Sequence, residues 1–182
     1  MENIFFEISA LNYLGNNVII GKTVRIRYPE LVSIGDNCII DDFTYISTQL
    51  EMESNVHISA GCKLIGGPKC KVIMQSYSTL SPNVVIAAGS DDYVGGIATP
   101  MVPEEVKGNV EYSTVIIARH SIVGAGAVIL PKVTFGEGAA VGALSLVKND
   151  LEEWSLYAGV PSRKIKDRNK EQIMAFEASL KK

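Results

Sequence analysis

Aliphatic residues recur at every sixth position along most of the chain. From Ile117 onward the sequence reads IARHSI, VGAGAV, ILPKVT, FGEGAA, VGALSL and VKNDLE, and an aliphatic or aromatic residue opens each hexad. The same phase runs from Ile34 to Leu64 and, after a slip of four residues, resumes at Met74. Seventeen hexads can be traced from Ile20 onward, and the fifth residue of most of them is small. The chain is therefore built largely from one six-residue repeat.

A period of six matches neither the helical turn of 3.6 residues nor the two-residue alternation of an ordinary strand. It predicts an all-β solenoid of very short strands, three to each triangular coil, in which the residue that opens each hexad points inward. Each coil buries its apolar side only by stacking on the next one. The hexads predict between five and six coils. A β-sandwich of short strands is the alternative, and the unbroken run from Ile117 argues against it.

One long segment interrupts the repeat. Residues 87–114, hereafter the excursion, have no six-fold phase and are rich in glycine and proline. Long irregular segments in compact domains are usually functional, although a solvated insertion without a role is the alternative. Asp91 and Asp92 lie where the chain leaves the coil, and we expect them to bind sugar hydroxyls or orient an imidazole. Either carboxylate could instead cap a turn.

The C-terminal region departs from the repeat. The coils are expected to stop near Leu151, so the solenoid domain spans residues 1–166 and carries the excursion within it. A basic cluster that includes Arg163 and Lys164 follows. Residues 167–182 have apolar positions suited to one face of a helix. This short C-terminal α-helix is predicted to cap or flank the end of the solenoid.

Composition and charge exclude several classes of function. The formal net charge is −3 and basic residues do not cluster broadly, which argues against a nucleic-acid partner. No apolar run reaches the ~18 residues of a membrane span. The first residues lack the basic region of a signal peptide. Three cysteines without metal-type spacing indicate a reducing, cytoplasmic setting.

The hexads and the ending WSLYAGVPSRKIK resemble the hexapeptide-repeat acyltransferases. The most similar branch contains maltose, galactoside and xenobiotic acetyltransferases and the acetyltransferases of bacterial surface-polysaccharide synthesis, such as O-antigen or lipopolysaccharide. The resemblance covers about residues 18–166. It implies a left-handed parallel β-helix, acetyl-CoA as acyl donor and a homotrimer with active sites between subunits. It also implies that the excursion helps to enclose the acceptor site of a neighbouring subunit.

Two groups of residues are candidates for binding coenzyme A. The first consists of small residues in pairs three hexads apart: Gly124, Ala125, Gly142 and Ala143. This spacing stacks them on one edge of successive coils, where a groove without side chains admits the pantetheine arm. Glycine that merely forms corners is the alternative. The second group, Lys148, Arg163 and Lys164, is expected to contact the phosphates, as the resemblance implies.

The chain has two histidines, and one of them is the candidate general base. His57 precedes the inward-facing Ile58, so its side chain is predicted to point outward from a strand. In the resembling family a histidine at the subunit interface takes the acceptor proton, and NVHISAGCKLIGG resembles the segment that carries it. His120 is the rival at a predicted solvated turn, and a mechanism without a side-chain base is the third option.

These features favour an acyl-CoA-dependent acyltransferase. Its acceptor would be a hydroxyl or an amine of a sugar or nucleotide-linked sugar, which attacks the thioester directly. A non-catalytic scaffold or binding module is one alternative. A metal-dependent protein like a carbonic anhydrase is another, but its zinc site requires three imidazoles and the chain has two. No metal site is therefore predicted.

Overall fold

The protein is a solenoid of triangular cross-section, and strands from successive coils stack into three flat sides. The computed structural model describes residues 3–180. Side 1 is a stack of seven parallel strands, numbered in chain order: β2 (Ile19–Ile20), β5 (Ile39–Ile40), β7 (His57–Ile58), β9 (Thr79–Leu80), β14 (Ile122–Val123), β17 (Ala140–Val141) and β19 (Ser155–Gly159).

Sides 2 and 3 share two long strands that bend around the corner between them. Side 2 contains β3 (Arg25–Ile26), the beginnings of β6 (Tyr45–Met52) and β8 (Lys63–Met74), β10 (Val85–Ala87), β15 (Val128–Ile129) and β18 (Leu146–Val147). Side 3 contains β1 (Tyr13–Leu14), β4 (Val32–Ile34), the ends of β6 and β8, β13 (Thr114–Ile117) and β16 (Thr134–Phe135). The predicted all-β solenoid is confirmed.

The hexad phase sets the core. The residue that opens each hexad from Ile34 to Val147 is buried, and so are the fifth residues, including Cys38 and Cys62, apart from Pro68 and Ser90 at the breaks in the repeat. On side 1 the buried residues stack in register from Ile20 and Ile40 through all seven strands. Each buried aliphatic side chain contributes roughly 1.5–3 kcal/mol to folding. The core is therefore one column of aliphatic residues along the axis.

The seven strands of side 1 exceed the five to six coils that the hexads predict. The additional coils lie at the two ends, where the repeat is irregular. At the start, Tyr13–Leu14 pairs with β4 although no hexad covers it. At the end, the coils do not stop near Leu151, because β19 adds a further strand to side 1.

Three corners separate the sides, and they differ in composition. The small-residue corner, between sides 1 and 2, contains the residue that follows the core position of each strand of side 1: Gly21, Asp41, Ser59, Ser81, Gly124, Gly142 and Ala158. The aromatic corner, between sides 3 and 1, contains residues in the left-handed region: Tyr77, His120, Gly138 and Trp154. The loop corner, between sides 2 and 3, gives rise to the excursion.

The excursion is a folded projection with a paired stem. Strands β11 (Gly89–Ser90) and β12 (Glu111–Tyr112) pair in antiparallel fashion, and a short 3-10 helix spans Glu104–Val106. The carboxylate of Asp92 accepts hydrogen bonds from the N–H groups of Val94, Gly95 and Asn109, each at 2.9 Å. The excursion is therefore organised around one carboxylate.

The C-terminal segment first returns as a strand and then forms a helix. Strand β20 (Ser162–Asp167) pairs antiparallel with β19, and helix α1 spans Lys170–Leu180. The helix predicted over 167–182 therefore begins later, because 162–167 completes a hairpin, and its last two residues lie outside the described part of the chain. Among residues 3–180, no helix combines the length and apolarity needed to cross a membrane.

Candidate active site

His57 lies on the outer surface of side 1 and is paired with a carboxylate. Its Nε2 atom is 2.8 Å from Oδ2 of Asp41, and both side chains are about two-fifths exposed (42% and 44%). The pair forms because Ile39 and His57 are directly opposed in neighbouring strands, and Asp41 follows two residues after Ile39. The prediction that His57 points outward is confirmed. The arrangement is that of an exposed imidazole paired with a carboxylate.

Asp41 was not identified from the sequence, although the repeat contained the signal. Three hexads before His57 stands Ile39, so the coil geometry places Asp41 close to the imidazole. The Asp41 carboxylate forms a hydrogen bond with one ring nitrogen of His57, and this bond fixes the orientation of the ring. The other ring nitrogen has no hydrogen-bond partner among the described residues and is available to a substrate.

The small-residue corner forms a continuous column next to this pair. The N–H groups of Ser59, Ser81, Gly124 and Gly142 each donate to the core residue of the next coil, at 3.0, 2.8, 2.8 and 2.8 Å. Successive coils lie ~4.8 Å apart. The column therefore leads from Gly142 past Gly124 and Ser81 to Ser59, which is two residues from His57.

The predicted stacking of the small residues is present. A Cβ atom on Gly124 would lie 2.5 Å from the backbone nitrogen of Ala143, so no other residue fits there without displacing the next coil. The N–H of Leu144 donates to the carbonyl of Ala125 at 2.9 Å. Ala143 itself is exposed, so a larger side chain would project outward. The predicted groove would therefore run along a surface formed by backbone and small side chains.

Ser81 is the second residue that sequence reasoning missed. It occupies the small-residue corner between Ser59 and Gly124 and is half-buried. No described residue forms a hydrogen bond with its hydroxyl group. The hexad alignment contained a signal, since Ser81 occupies the same hexad position as Ser59 and Gly124.

The predicted basic residues divide into two locations. Arg163 is opposite Ala158 in the terminal hairpin, and Ala158 follows Gly142 in the small-residue corner. Lys164 is bound to Glu152 at 2.7 Å and to Asp167 at 2.9 Å, and its hydrogen bond to Glu152 raises its pKa. Arg163 takes part in no ion pair among the described residues, so its charge is the more available one.

Lys148 lies away from the groove. It follows β18 at the loop corner and lines a shallow cavity of about 360 Å³ with Pro131 and Asp150. Side 2 separates it from Gly124 and Gly142. A coil has three corners, so residues six positions apart occupy different corners. Lys148 is six residues after Gly142 and therefore lies at the next corner.

His120 is covered, contrary to the predicted solvated turn. Its side chain is 8% exposed and its Nε2 is 2.9 Å from Oε2 of Glu177, on helix α1. The ring stacks on Tyr77 at 5.2 Å and contacts Trp154 at 5.9 Å. A hydrogen bond from Arg119 lowers the pKa of Glu177 to about 2. His120 therefore anchors the helix and has no open face for a substrate.

The two aspartates of the excursion have different surroundings. The backbone N–H groups of Asn109, Gly95 and Val94 lower the pKa of Asp92 and occupy its oxygens, which corresponds to the turn-capping alternative. Asp91 is exposed and lines a cavity of about 500 Å³ at the loop corner. The loop corner faces away from side 1, so a single chain does not bring either aspartate to His57.

Comparisons with known proteins find similar acyltransferases. No family model matches the chain. The dTDP-4-amino-4,6-dideoxy-D-glucose acyltransferase of Escherichia coli is 36% identical over 185 residues, which cover 100% of this chain and 94% of that protein. The galactoside O-acetyltransferase of Escherichia coli K12 is 30% identical over 138 residues, 75% of this chain and 64% of that protein.

Solved structures show the same fold with ligands. The N-acyltransferase AntD from Bacillus cereus, in complex with dTDP and 3-hydroxybutyryl-CoA, is 36% identical, with a TM-score of 0.89 over 98% of this chain and 97% of that one. Further AntD structures carry substitutions of one serine or of an aspartate ten positions later. They contain coenzyme A with dTDP or dTDP-4-amino-4,6-dideoxyglucose.

Proposed function

The chain belongs to the hexapeptide-repeat sugar acyltransferases, and we propose that it transfers an acyl group from coenzyme A to the amine of a nucleotide-linked amino sugar. Its solenoid is the left-handed parallel β-helix of that family. It is an acyltransferase that uses an acyl-CoA. The choice of an amine over a hydroxyl is supported by the two full-length relatives, which are named for a dTDP-linked amino sugar and for N-acyl transfer.

The observation that carries the proposal is the position of the His57–Asp41 pair beside the small-residue groove. A pantetheine arm along Gly142 and Gly124 would bring its thioester toward Ser81 and His57, because these residues follow one another on successive coils. The amine nitrogen attacks the thioester carbonyl, the new C–N bond forms and the C–S bond breaks. His57 takes the proton that the amine loses and returns it to the departing thiolate.

Asp41 would position the imidazole and stabilise its protonated form. A carboxylate that holds one ring nitrogen orients the other toward the substrate. The hydroxyl of Ser81 is suited to donate a hydrogen bond to the oxygen of the tetrahedral intermediate, since no described residue occupies it. Donors directed at such an oxygen contribute strongly in a site shielded from water.

Spacing along the chain supports roles for Ser81 and Asp91. The substituted serine and aspartate of AntD are ten residues apart. In this chain Ser81 and Asp91 are the only serine and aspartate with that separation. We assign both to the site, with Asp91 beside the acceptor amine and Asp92 as the structural residue of the excursion.

A homotrimer would complete the site. Side 1 carries exposed apolar residues around His57, among them Ile19 (57% exposed) and Ile122 (40%). The excursion leaves from the opposite corner, so Asp91 of one subunit reaches the His57 side only across an interface. Symmetric assembly would also cover the apolar residues. A stable monomer in sedimentation at micromolar concentration would remove the intersubunit site from the proposal.

The direct test is acyl transfer measured as free thiol. We expect release of coenzyme A with dTDP-linked 4-amino sugars and none with the corresponding sugar that has a hydroxyl in place of the amine. Varying the donor from acetyl-CoA to 3-hydroxybutyryl-CoA tests whether the acetyl group predicted from the sequence is the one used. Transfer to the hydroxyl sugar alone would contradict the amine. Binding of coenzyme A without transfer to any sugar would favour a binding module.

The cytoplasmic setting remains a prediction that fits the proposal. All three cysteines are free and buried in the core. They fill the solenoid interior and take no part in the proposed chemistry. Burial raises the pKa of the Cys62 thiol to about 11, so the thiol is protonated at neutral pH.

A further inference from the structure

The loop-corner cavity is a second concave site, separate from the groove. Its volume is about 500 Å³, within the range of small-molecule sites (~300–1,000 Å³). Three segments form it: Arg27–Tyr28 directly after β3, Ile65–Lys69 from the bend of β8, and the excursion. Two of these segments, the bend of β8 and the excursion, are breaks in the hexad pattern. The stacking of the coils does not require these segments.

The lining residues carry three positive and three negative charges, and ion pairs occupy three of the six. Lys107 is paired with Glu104 at 2.5 Å, and Glu111 with Lys132 at 2.7 Å. Arg27 and Lys69 also line the cavity, and neither takes part in an ion pair among residues 3–180. Asp91 is the one lining carboxylate without an ion pair in that part of the chain. Two cations and one carboxylate therefore remain for a ligand.

Each of these cations lies over an aromatic ring. The Nζ atom of Lys69 is 4.8 Å from the centre of the Tyr112 ring, and the guanidinium carbon of Arg27 is 5.5 Å from that of Tyr28. Aromatic faces bind nucleobases by stacking, and neighbouring cations bind phosphates. A nucleoside diphosphate has a base at one end and phosphates at the other, so a site with both aromatic rings and cations fits its two ends.

The floor of the cavity is bare backbone held in close contact with the core. A Cβ atom on Gly89 would lie 2.7 Å from Sγ of Cys70 and 2.9 Å from the carbonyl oxygen of Glu111. Gly66, in the left-handed region, approaches the same thiol. Packing therefore keeps side chains out of this part of the cavity wall.

We propose that the loop-corner cavity binds the nucleoside diphosphate of the acceptor. Arg27 and Lys69 hold the phosphates, and the ring of Tyr112 or Tyr28 stacks on the base. Asp91 is then left at the sugar end, where it meets the amino group. The inference rests on the proposed function, which supplies a nucleotide-linked acceptor, and it adds the residues that recognise the nucleotide.

The test measures binding of thymidine diphosphate and of coenzyme A to the same variants by calorimetry. For Arg27→Ala and Lys69→Ala we expect the Kd for thymidine diphosphate to rise about tenfold each, as loss of a charge-assisted hydrogen bond would produce. The Kd for coenzyme A should not change. Lys22→Ala, at an exposed lysine of another corner, is the matched control. Unchanged melting temperatures would verify that the variants are folded.

The outcomes separate this inference from the proposed function. If wild-type enzyme acylates a nucleotide-linked amino sugar while both variants keep the wild-type Kd for thymidine diphosphate and KM for the acceptor, the cavity assignment is overturned and the function stands. If the enzyme acylates only free amino sugars and does not bind thymidine diphosphate, both the nucleotide acceptor and the cavity assignment fail. A rise in acceptor KM for the two variants alone, with kcat retained, supports the assignment.

Discussion

The two histidines occupy closely similar pairings and very different surroundings. His57 is 2.8 Å from Asp41, and His120 is 2.9 Å from Glu177, both through Nε2. The His57 side chain is 42% exposed on a flat side, whereas that of His120 is 8% exposed under a helix. An imidazole–carboxylate pair therefore does not by itself identify a catalytic base. What distinguishes a candidate base from an anchor is whether the second ring face is open.

Packing accounts for His120 and does not account for His57. His120 occupies a left-handed corner position, stacks on Tyr77 and is tied to helix α1, so its polar groups are satisfied where they are buried. His57 occupies an outward strand position that Ile39 and Thr79 fill in the neighbouring coils. A histidine is not needed there for folding, which supports a role in chemistry.

The two corners that flank side 1 show the same contrast. In the aromatic corner, a Cβ atom on Gly138 would lie 2.4 Å from the ring of Trp154, so the aromatic side chain fills the space over the glycine. In the small-residue corner, Gly124 faces the backbone of Ala143 and the space outside stays open. One corner is closed by side chains and helix α1, and the other remains free for a ligand.

The largest expected effect comes from removing the exposed imidazole. His57→Asn should lower kcat by a factor on the order of 10² to 10⁴, as loss of a general base does. The affinity for acyl-CoA should change little, because the imidazole lies beyond the groove. Steady-state kinetics from pH 6 to 9 check this. Near wild-type kcat over that range would exclude His57 as the base, and His120→Asn is the matched control, with kcat per folded enzyme retained.

The partner carboxylate should have a smaller effect. Asp41→Asn leaves the imidazole in place but weakens its orientation and the stabilisation of its charged form. We expect kcat to fall by a factor on the order of 10², the lower end of the range for a general base, with a changed pH–rate profile. If the Asp41 and His57 variants lost equal activity and the double variant lost no more, the two groups would act as one unit. A wild-type pH–rate profile for Asp41→Asn would contradict the positioning role of Asp41.

A tryptophan in the open corner should block the coenzyme. Ala143→Trp projects outward from the groove, so the fold should be kept while the Kd for coenzyme A rises by at least about tenfold, or ~1.4 kcal/mol. The natural Trp154 shows that the solenoid tolerates a tryptophan over a corner glycine. Calorimetry measures the binding, and a circular dichroism melt checks the fold. Unchanged affinity in a folded variant would place the channel elsewhere.

The basic residues beside the groove should contribute less. Arg163→Ala is expected to raise the KM for acyl-CoA by a few-fold, in line with the ~0.2–1 kcal/mol of an exposed ion pair, and the difference should shrink at high salt. Lys164→Ala should have a smaller effect because Glu152 and Asp167 already engage this lysine. If the two variants raised the KM for acyl-CoA equally and independently of salt, an electrostatic role for Arg163 would be contradicted.

The smallest effect on activity is expected at the covered histidine site. Glu177→Gln should leave kcat unchanged and lower the melting temperature at pH 7. The pKa of Glu177 is about 2, below the ordinary 4.5, so its contribution is complete above pH 4.5 and is lost as the pH falls toward 2. Thermal melts of both proteins across this interval should therefore converge. A constant difference would mean that the carboxylate charge does not hold the helix.

The hexad pattern by itself determined the solenoid, its core and the side of the strand that each residue occupies. A strict period of six leaves one consistent arrangement, because only that phase buries Ile34, Ile58, Val123 and their equivalents together. The outward direction of His57 and the stacking of Gly124 with the next coil follow from the same count. Local spacing is sufficient for these features, since each depends on neighbours one coil away.

The tertiary structure alone decided which residues meet across breaks in the repeat. Helix α1 covers His120 through Glu177, 57 residues away in sequence, and no periodicity links the two. The phase slip and the excursion place Arg27 and Lys69 beside Asp91 at the loop corner. The excursion also turns Asp92 inward on its own loop, whereas the unbroken phase itself places Lys148 at the loop corner, one hexad from Gly142. A repeat predicts the position of a residue only where its six-residue phase is unbroken. Contacts across a break in the phase depend on how the whole chain folds.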